Sequence, residues 1–462
     1  MHNGTKAGVL NKDDITAQLQ TQSPITLVDL HKTEKGKDDD YDPFAHRKLA
    51  HPTSTLGSFF HLLKSSLGTG LLAMPMAFKS TGLIPGVIGT IFVAVVATHC
   101  VHILVNTSRE LCRICRIPSL SYTDTCEQAF KQGPKRLRAY STSVRYFADS
   151  AMAGICIGGT SVYVLFIATS LKDILIHFFP SNGYSIPLYC WMLLLPLVLI
   201  TQIRHLKFLE PFSFFANICL LATFGITCYY IFSDLKDDTD AELAVSVITW
   251  PVFLSTAIFA MEGINVVMPV ENEMANPKQF LGCPGVLCTT MMLVAALYGT
   301  VGIVGYLKYG KQVGDIITLN LPQDEILALS AKIMVAVAVF FTYCLQMYAP
   351  MDIIWTRLQG YVPLKLHNLG QIVLRTFSVT ITVVLAAAVP DLGLLISLVG
   401  AIFFSTLGLL IPVVVQTVHR WERGLGKYKY MLWKNAFLLM FYLLVLLTGC
   451  YTSVRDIINT FS

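Results

Sequence analysis

Apolar segments of about twenty residues, the length that crosses a bilayer, recur from residue 57 to the end of the chain, separated by short polar turns. The pattern predicts spans near 57–79, 82–107, 140–172, 187–204, 208–232, 248–275, 284–308, 326–356, 367–389, 392–417 and 431–453, which makes eleven. The third is long enough to tilt or protrude. Between the second and third, "YTDTCEQAFKQGPKR" reads as a short amphipathic helix on the membrane surface. Residues 1–50 are different: they are polar, with the run "KTEKGKDDDYD" and little apolar periodicity. They read as a disordered cytoplasmic tail. No apolar h-region precedes a cleavage site, so the first span is expected to target the chain.

Composition sharpens this into an all-α polytopic membrane protein. The 462 residues are 54% hydrophobic and 14% charged, where soluble proteins hold about a quarter charged residues. The mean hydropathy is +0.59. The net charge of +5 carries no implication of nucleic acid, because the positive charges sit in short loops. Those loops alternate. Arg109, Arg113, Arg116, Lys131, Lys135, Arg136 and Arg138 follow the second span, and Arg420, Arg423, Lys427 and Lys429 follow the tenth. The opposite side holds only Lys172, Lys236, Lys308, Lys311 and Arg455. Positive residues stay inside, so the N-terminus is expected in the cytoplasm and the C-terminus outside or in a lumen.

Two spans are interrupted. "KSSLGTGLLAMPMAF" places Gly68 and Gly70 among Ser65, Ser66 and Thr69 at the middle of the first. A broken helix exposes backbone groups that lipid cannot satisfy, which is tolerable only beside a cavity or ligand. The N–H groups of Thr69, Gly70 and Leu71 would suit a carboxylate, and the carbonyls of Lys64, Ser65 and Ser66 a cation. Close packing of helices through small residues is the competing reading. "IFAMEGINVVMPVENEM" interrupts the sixth span with Glu262 and Gly263, next to Phe259, Ala260 and Met261. A carboxylate at that depth is costly and functional as a rule. The first and sixth spans each open a set of five. An odd number makes the second set enter inverted, and paired interruptions in inverted halves point to a transporter's binding site.

The remaining chemistry is sparse. "CRIC" at 112–115 has half a zinc site's spacing with no second half, and reads as two ordinary thiols. No loop assembles a nucleophile with a base, so no enzyme and no metal site are expected. His61, four residues before Ser65 and seven before Gly68, shares a helical face with both and titrates near neutral pH. A core histidine with a satisfied hydrogen bond is its competing reading. Glu262 reads either as a functional carboxylate or as a static partner of Lys64, and Asp149 as a partner of Arg145.

The stretches "HLLKSSLGTGLLAMPMAFKSTG", "MEGINVVMPVENEM", "ITLNLP" and "ISLVGA" resemble the proton-coupled amino acid transporter family of the amino acid/auxin permease group. The resemblance runs from about His51 to the end of the last span, and the lead-in "YDPFAHRKLAHPTS" resembles insect members. It implies a LeuT-type 5+5 inverted repeat with broken helices 1 and 6. The first repeat would cover 51–233 and the second 234–417, with helix eleven and the C-terminal end in 418–462. It implies symport of protons with small neutral amino acids such as glycine, alanine and proline, with no other cofactor, in the plasma or lysosomal membrane. The family's proton-linked histidine falls on His61, its glutamate on Glu262 and its glycine pair on Gly68 and Gly70. Substrate would meet Ser66, Gly68, Thr69, Gly70, Leu71, Phe259, Ala260, Met261 and Gly263. Gln323 stands where members often carry a cysteine bonded to another outer cysteine, so that disulfide is not expected. A sensor of the same fold without net transport, and sodium coupling through Thr342, are the alternatives.

Overall fold

The computed structural model describes residues 41–47, 49, 52–179, 184–204, 206–233, 240–261, 263–282 and 284–461. Pro43–Ser462 form one compact unit. Among the described residues every regular element is helical, apart from an isolated bridge between Thr53 and Met274.

The first predicted span is two helices, α1 (Thr55–Ser66) and α2 (Gly70–Thr81). The Ser54 hydroxyl caps α1 by accepting from the Gly57 N–H at 3.1 Å. Leu67 leaves the helix at φ −87°, ψ 63°. Gly82, at φ +90°, turns the chain into α3 (Leu83–Cys115). There follow α4 (Tyr122–Lys131), α5 (Ser141–Phe178), α6 (Ile186–Thr201) and α7 (Leu206–Phe232). The sixth span is also two helices, α8 (Trp250–Ala260) and α9 (Ile264–Glu273). Then come α10 (Val286–Tyr309), α11 (Ile326–Leu358) and α12 (His367–Ala388). The tenth span starts as α13 (Leu392–Val399), widens into π-helical turns at Gly400–Phe404 and Thr406–Leu410, and ends as α14 (Ile411–Arg420). The last helix is α15 (Tyr430–Phe461).

Nine helical stretches among the described residues are long and apolar enough to cross a membrane, one of them containing the interrupted α8 and α9. The apolar α6 is shorter, with 16 residues. Outward faces carry large apolar side chains such as Leu195, Phe214, Leu221, Met292 and Leu447, each more than 60% exposed. Such a surface suits lipid and not water. The third span reaches 38 helical residues, roughly 57 Å at 1.5 Å per residue, so it protrudes or tilts.

Two expectations change. The α4 helix does not lie with a free polar face on the membrane surface. All but two of its residues are buried, against α5 and α14. Its Tyr122 hydroxyl donates to the Leu407 carbonyl at 2.6 Å, a backbone acceptor in the π-helical stretch. Helical periodicity locates a polar face but not what covers it. Asp149 pairs with Arg357 of α11, whose guanidinium stacks on Tyr146, while Arg145 turns to Asp124 and Glu127 of α4. Burial on its own raises the Glu127 carboxyl, but the ammonium of Lys131 and the guanidinium of Arg145 hold it below the usual range.

Residues 43–47, which the sequence places in the tail, pack in this unit because a buried carboxylate calls for them. Arg47 donates to Glu271 at 3.0 Å, and Arg109 of α3 donates to its other oxygen at 2.9 Å. Phe44 lies under both guanidiniums, at 5.0 and 5.2 Å. Thr53 exchanges backbone hydrogen bonds with Glu273 and Ala275, which ties the start of α1 to the end of α9.

Candidate functional site: two helix breaks that meet

Each break leaves a pair of half-helix ends at mid-bundle, and the fold sets the two pairs against each other. A Cβ on Gly70, the first residue of α2, would lie 2.5 Å from the Ala260 Cα and 3.2 Å from its carbonyl oxygen. Only glycine lets the backbones approach this closely. At the other pair of ends, Gly263 (φ +155°) faces Ser66, whose Oγ lies 3.1 Å from the position of a Gly263 Cβ. The N-terminus of α2 thus meets the C-terminus of α8, and the N-terminus of α9 meets the C-terminus of α1. Each such end carries about half a unit charge, positive at N-termini and negative at C-termini. A zwitterion offers one group of each sign to this arrangement.

The free backbone groups are fewer than the residue pattern suggested. The Leu71 N–H is taken by the Gly68 carbonyl at 3.3 Å, and the Leu72 N–H by that of Thr69 at 3.1 Å. The N–H groups of Thr69 and Gly70 have no partner among the described residues. Two side-chain oxygens here are shielded and also unpartnered among the described residues: Ser66 Oγ and Asn265 Oδ1. A shielded polar atom without a partner costs about 1–3 kcal/mol, so both favour an occupant. Gly68 has open space where its Cβ would be, whereas Gly70 does not. Close packing therefore accounts for one glycine of the pair and not for the other.

Tyr298 of α10 is a residue that sequence reasoning missed. Wholly buried, its hydroxyl lies against the carbonyls that end the first half of each broken span, Ser66 and Ala260, the latter at 2.7 Å. It binds the two broken helices through one phenolic proton. Its sequence neighbours, "AALYGTV", are featureless, and no local signal marks it. Tyr298→Phe keeps the volume and removes the donor. The expected result is a loss of about 1–3 kcal/mol in stability together with weaker amino acid binding, checked by melting temperature and substrate-binding titration. Unchanged values for both would show the hydroxyl to be idle.

Beside the breaks lies a cavity of ≈ 40 Å³, reached by Leu62, Ser66, Met261, Gly263, Ile264 and Phe404 and closed by α3, α10 and α15. Phe259 is 1% exposed and packs edge-on against Phe404, ring centroids 5.1 Å apart, so it touches the cavity's wall and does not line it. His61 stands elsewhere. The buried stripe of α1 is Ser58, Leu62 and Ser66, and His61 and Lys64 project from the exposed side. The face that His61 was expected to share with Gly68 ends at Ser66, because Leu67 is no longer helical. Glu262 lies outside the described residues. The Thr342 hydroxyl donates to the Ala338 carbonyl at 2.8 Å. Among the described residues no three His, Cys, Asp or Glu groups cluster to hold a metal.

A helical membrane bundle with two interrupted helices meeting end to end is the architecture of a secondary transporter. The chain belongs to the transmembrane amino acid transporter protein family, whose model matches residues 51–455. It is 40% identical over 424 residues to the proton-coupled amino acid transporter-like protein pathetic of Drosophila melanogaster, covering 92% of this chain and 89% of that one. It is 27% identical over 410 residues to the amino acid transporter AVT3A of Arabidopsis thaliana, covering 87% and 90%. The fold is similar to that of Mhp1 in its inward-facing conformation, with a TM-score of 0.53, 12% identity and coverage of 88% and 92%. The protein is thus a multi-pass membrane protein of a transporter family, not of an enzyme family.

Proposed function

We propose that this chain carries small neutral amino acids, of the glycine, alanine and proline class, in symport with protons and with no other cofactor. The observation that carries the reading is the contact of Gly70 with Ala260, which sets a positive helix end beside a negative one. The substrate carboxylate would take the N–H groups of Thr69 and Gly70, and its ammonium the carbonyls of residues 259–261. Ser66, Leu71 and Gly263 complete the walls, with Gly68 leaving room. The cavity supports small substrates: at ≈ 40 Å³ it holds roughly three water-sized spheres at 10–15 Å³ each. The name of the Drosophila relative supports proton coupling. In this reading the interrupted α1 and α2, the interrupted α8 and α9, the short α6 and the other long helices make eleven crossings. Two inverted sets of five precede α15, and the membrane is plasma or lysosomal.

His61 carries or gates the proton, and Glu262 helps set its charge. Because His61 stands on the exposed side of α1, it acts through movement of that half-helix and not by touching substrate. A shift of 1–3 kcal/mol between access states is typical of such coupling. The test is uptake of labelled glycine, alanine and proline into vesicles at acidic and neutral outer pH, with and without sodium, for the natural protein and His61→Ala. Acid-stimulated, sodium-independent uptake is expected for the former. The variant should lose acid stimulation and keep exchange of internal for external substrate. Binding without net flux would make the protein a sensor, and full acid stimulation in the variant would free His61 of the role.

A further inference from the structure

The connection between α10 and α11, residues 310–325, is seated across three elements at the outer end of the bundle. Lys79 of α2 donates to its Val313 carbonyl at 3.0 Å. Gln323 donates at 2.8 Å to Asp173 of α5, which also holds Lys332 at 2.6 Å. A hydrogen bond thus stands at the position where the resemblance led to a cysteine. Ile316 and Ile317 of the connection are fully buried. Asn320 staples it internally, accepting from the Gly314 N–H at 2.8 Å and donating to the Gln312 carbonyl at 2.9 Å.

The third seat is the N-terminus of α13. Asp391 caps that helix, accepting from the Leu394 N–H at 2.8 Å. Asp315 reaches over from the connection to the same helix end, beside Gly393. The two carboxylates share one notch. The point where Gly393 would carry a Cβ is 3.3 Å from Asp315 Oδ1, 3.5 Å from Asp391 Oδ1 and 2.0 Å from the Met76 methyl of α2. Other charges of the neighbourhood are engaged elsewhere. Lys311 pairs with Glu242, Glu325 accepts from the Tyr230 hydroxyl, and Lys308 donates to the Tyr230 and Ser233 carbonyls. Asp240 lies against Gly310. Among the described residues, Asp391 and Lys79 are therefore the charged groups that face Asp315.

We propose that Asp315 and Asp391 form a pH-operated clasp: a proton on Asp315 locks the 310–325 connection over the outer mouth, and its loss releases it. Like charges crowded in a buried notch disfavour double ionisation. Burial first, then Asp391, pushes the Asp315 carboxyl up to about 6, against the opposite pull of the Leu392 and Gly393 N–H groups and Lys79. Once unseated into water, Asp315 returns to the ordinary value of 3.8. The pKa is raised in the seated state. Seating is therefore fully supported below the ordinary value and loses support as pH rises through about 6. A shift of about two units corresponds to a change of about 100-fold in the seating equilibrium. Acid outside closes the mouth, and neutral pH loosens it.

The test reads seating and not transport, so it stands apart from the proposed symport. Thr318, buried in the seated connection, is replaced by cysteine, and its labelling by a membrane-impermeant maleimide is followed from pH 5 to 7.5. Each rate is divided by that of the same protein carrying Asp315→Asn at the same pH, which cancels the thiol's own titration, and the parent without Thr318→Cys gives the background. Between pH 5 and 7.5 the ratio is expected to climb about tenfold, levelling off above pH 6. Asp391→Asn, which keeps a capping side chain, should flatten the climb by removing the repulsion. A ratio that stays constant with pH would overturn the clasp, as would an undiminished climb in the Asp391→Asn protein.

Discussion

Gly70→Val is expected to abolish amino acid uptake, by at least two orders of magnitude, while membrane insertion and protein level are kept. Even a single added carbon would stand 2.5 Å from the Ala260 Cα and 2.9 Å from its Cβ. These are backbone and first side-chain atoms, which have no rotamer to retreat into. Valine adds two further methyls at the same point. The N-terminus of α2 must then move away from the C-terminus of α8, and the opposed helix ends lose their register. A displacement near 1 Å is enough to cost about 100-fold where geometry is demanding. The long spans that insert the chain are untouched. Radiolabelled uptake and binding, normalised to protein in the membrane, check the result. Normal uptake by Gly70→Val would be incompatible with the assignment of the breaks as the binding site.

The second large effect is expected at Glu271. Its side chain is 2% exposed and holds Arg47, 5% exposed, and Arg109, 15% exposed, on opposite oxygens. Removing one partner of a buried ion pair leaves an uncompensated charge and costs about 3–5 kcal/mol. Here the loss is doubled in kind, because Glu271→Ala leaves two guanidiniums beside Phe44 without their shared carboxylate. The purified protein should show a large fall in melting temperature. Glu271→Gln, which keeps the volume and an acceptor, should fall less. Transport should fall with stability, since Glu271 anchors the C-terminal end of α9, one half of the second break. An unchanged melting temperature in Glu271→Ala would mean that the cluster adds nothing to the fold.

What was legible depended on the range of the physics. The unpaired backbone of a membrane helix is a local problem, so the glycines at 68, 70 and 263 announced both breaks from composition alone. Tyr298 was not legible, since a tyrosine in an apolar run becomes meaningful only when two foreign carbonyls stand over its hydroxyl. The partner of Asp149 was equally hidden. Arg145, one helical turn away, was the near choice, but the fold brings Arg357 from 208 residues along the chain and gives Arg145 to α4. His61 shows the converse error, where helical spacing was carried through Gly68 although the helix stops two residues earlier.

By itself, the sequence determined that the chain lives in a membrane, where its apolar helices lie, which two stretches are interrupted, and which family it resembles. Each follows from the cost of placing polar or charged groups in hydrocarbon, which every residue settles with its own side chain and near neighbours. Only the tertiary structure decided that the two interruptions touch at Gly70 and Ala260, that Tyr298 joins them, and that Asp315 and Asp391 share one notch. These contacts join residues between 38 and 232 positions apart or lie between separate helices, and close packing of whole helices, not any local preference, brings them together.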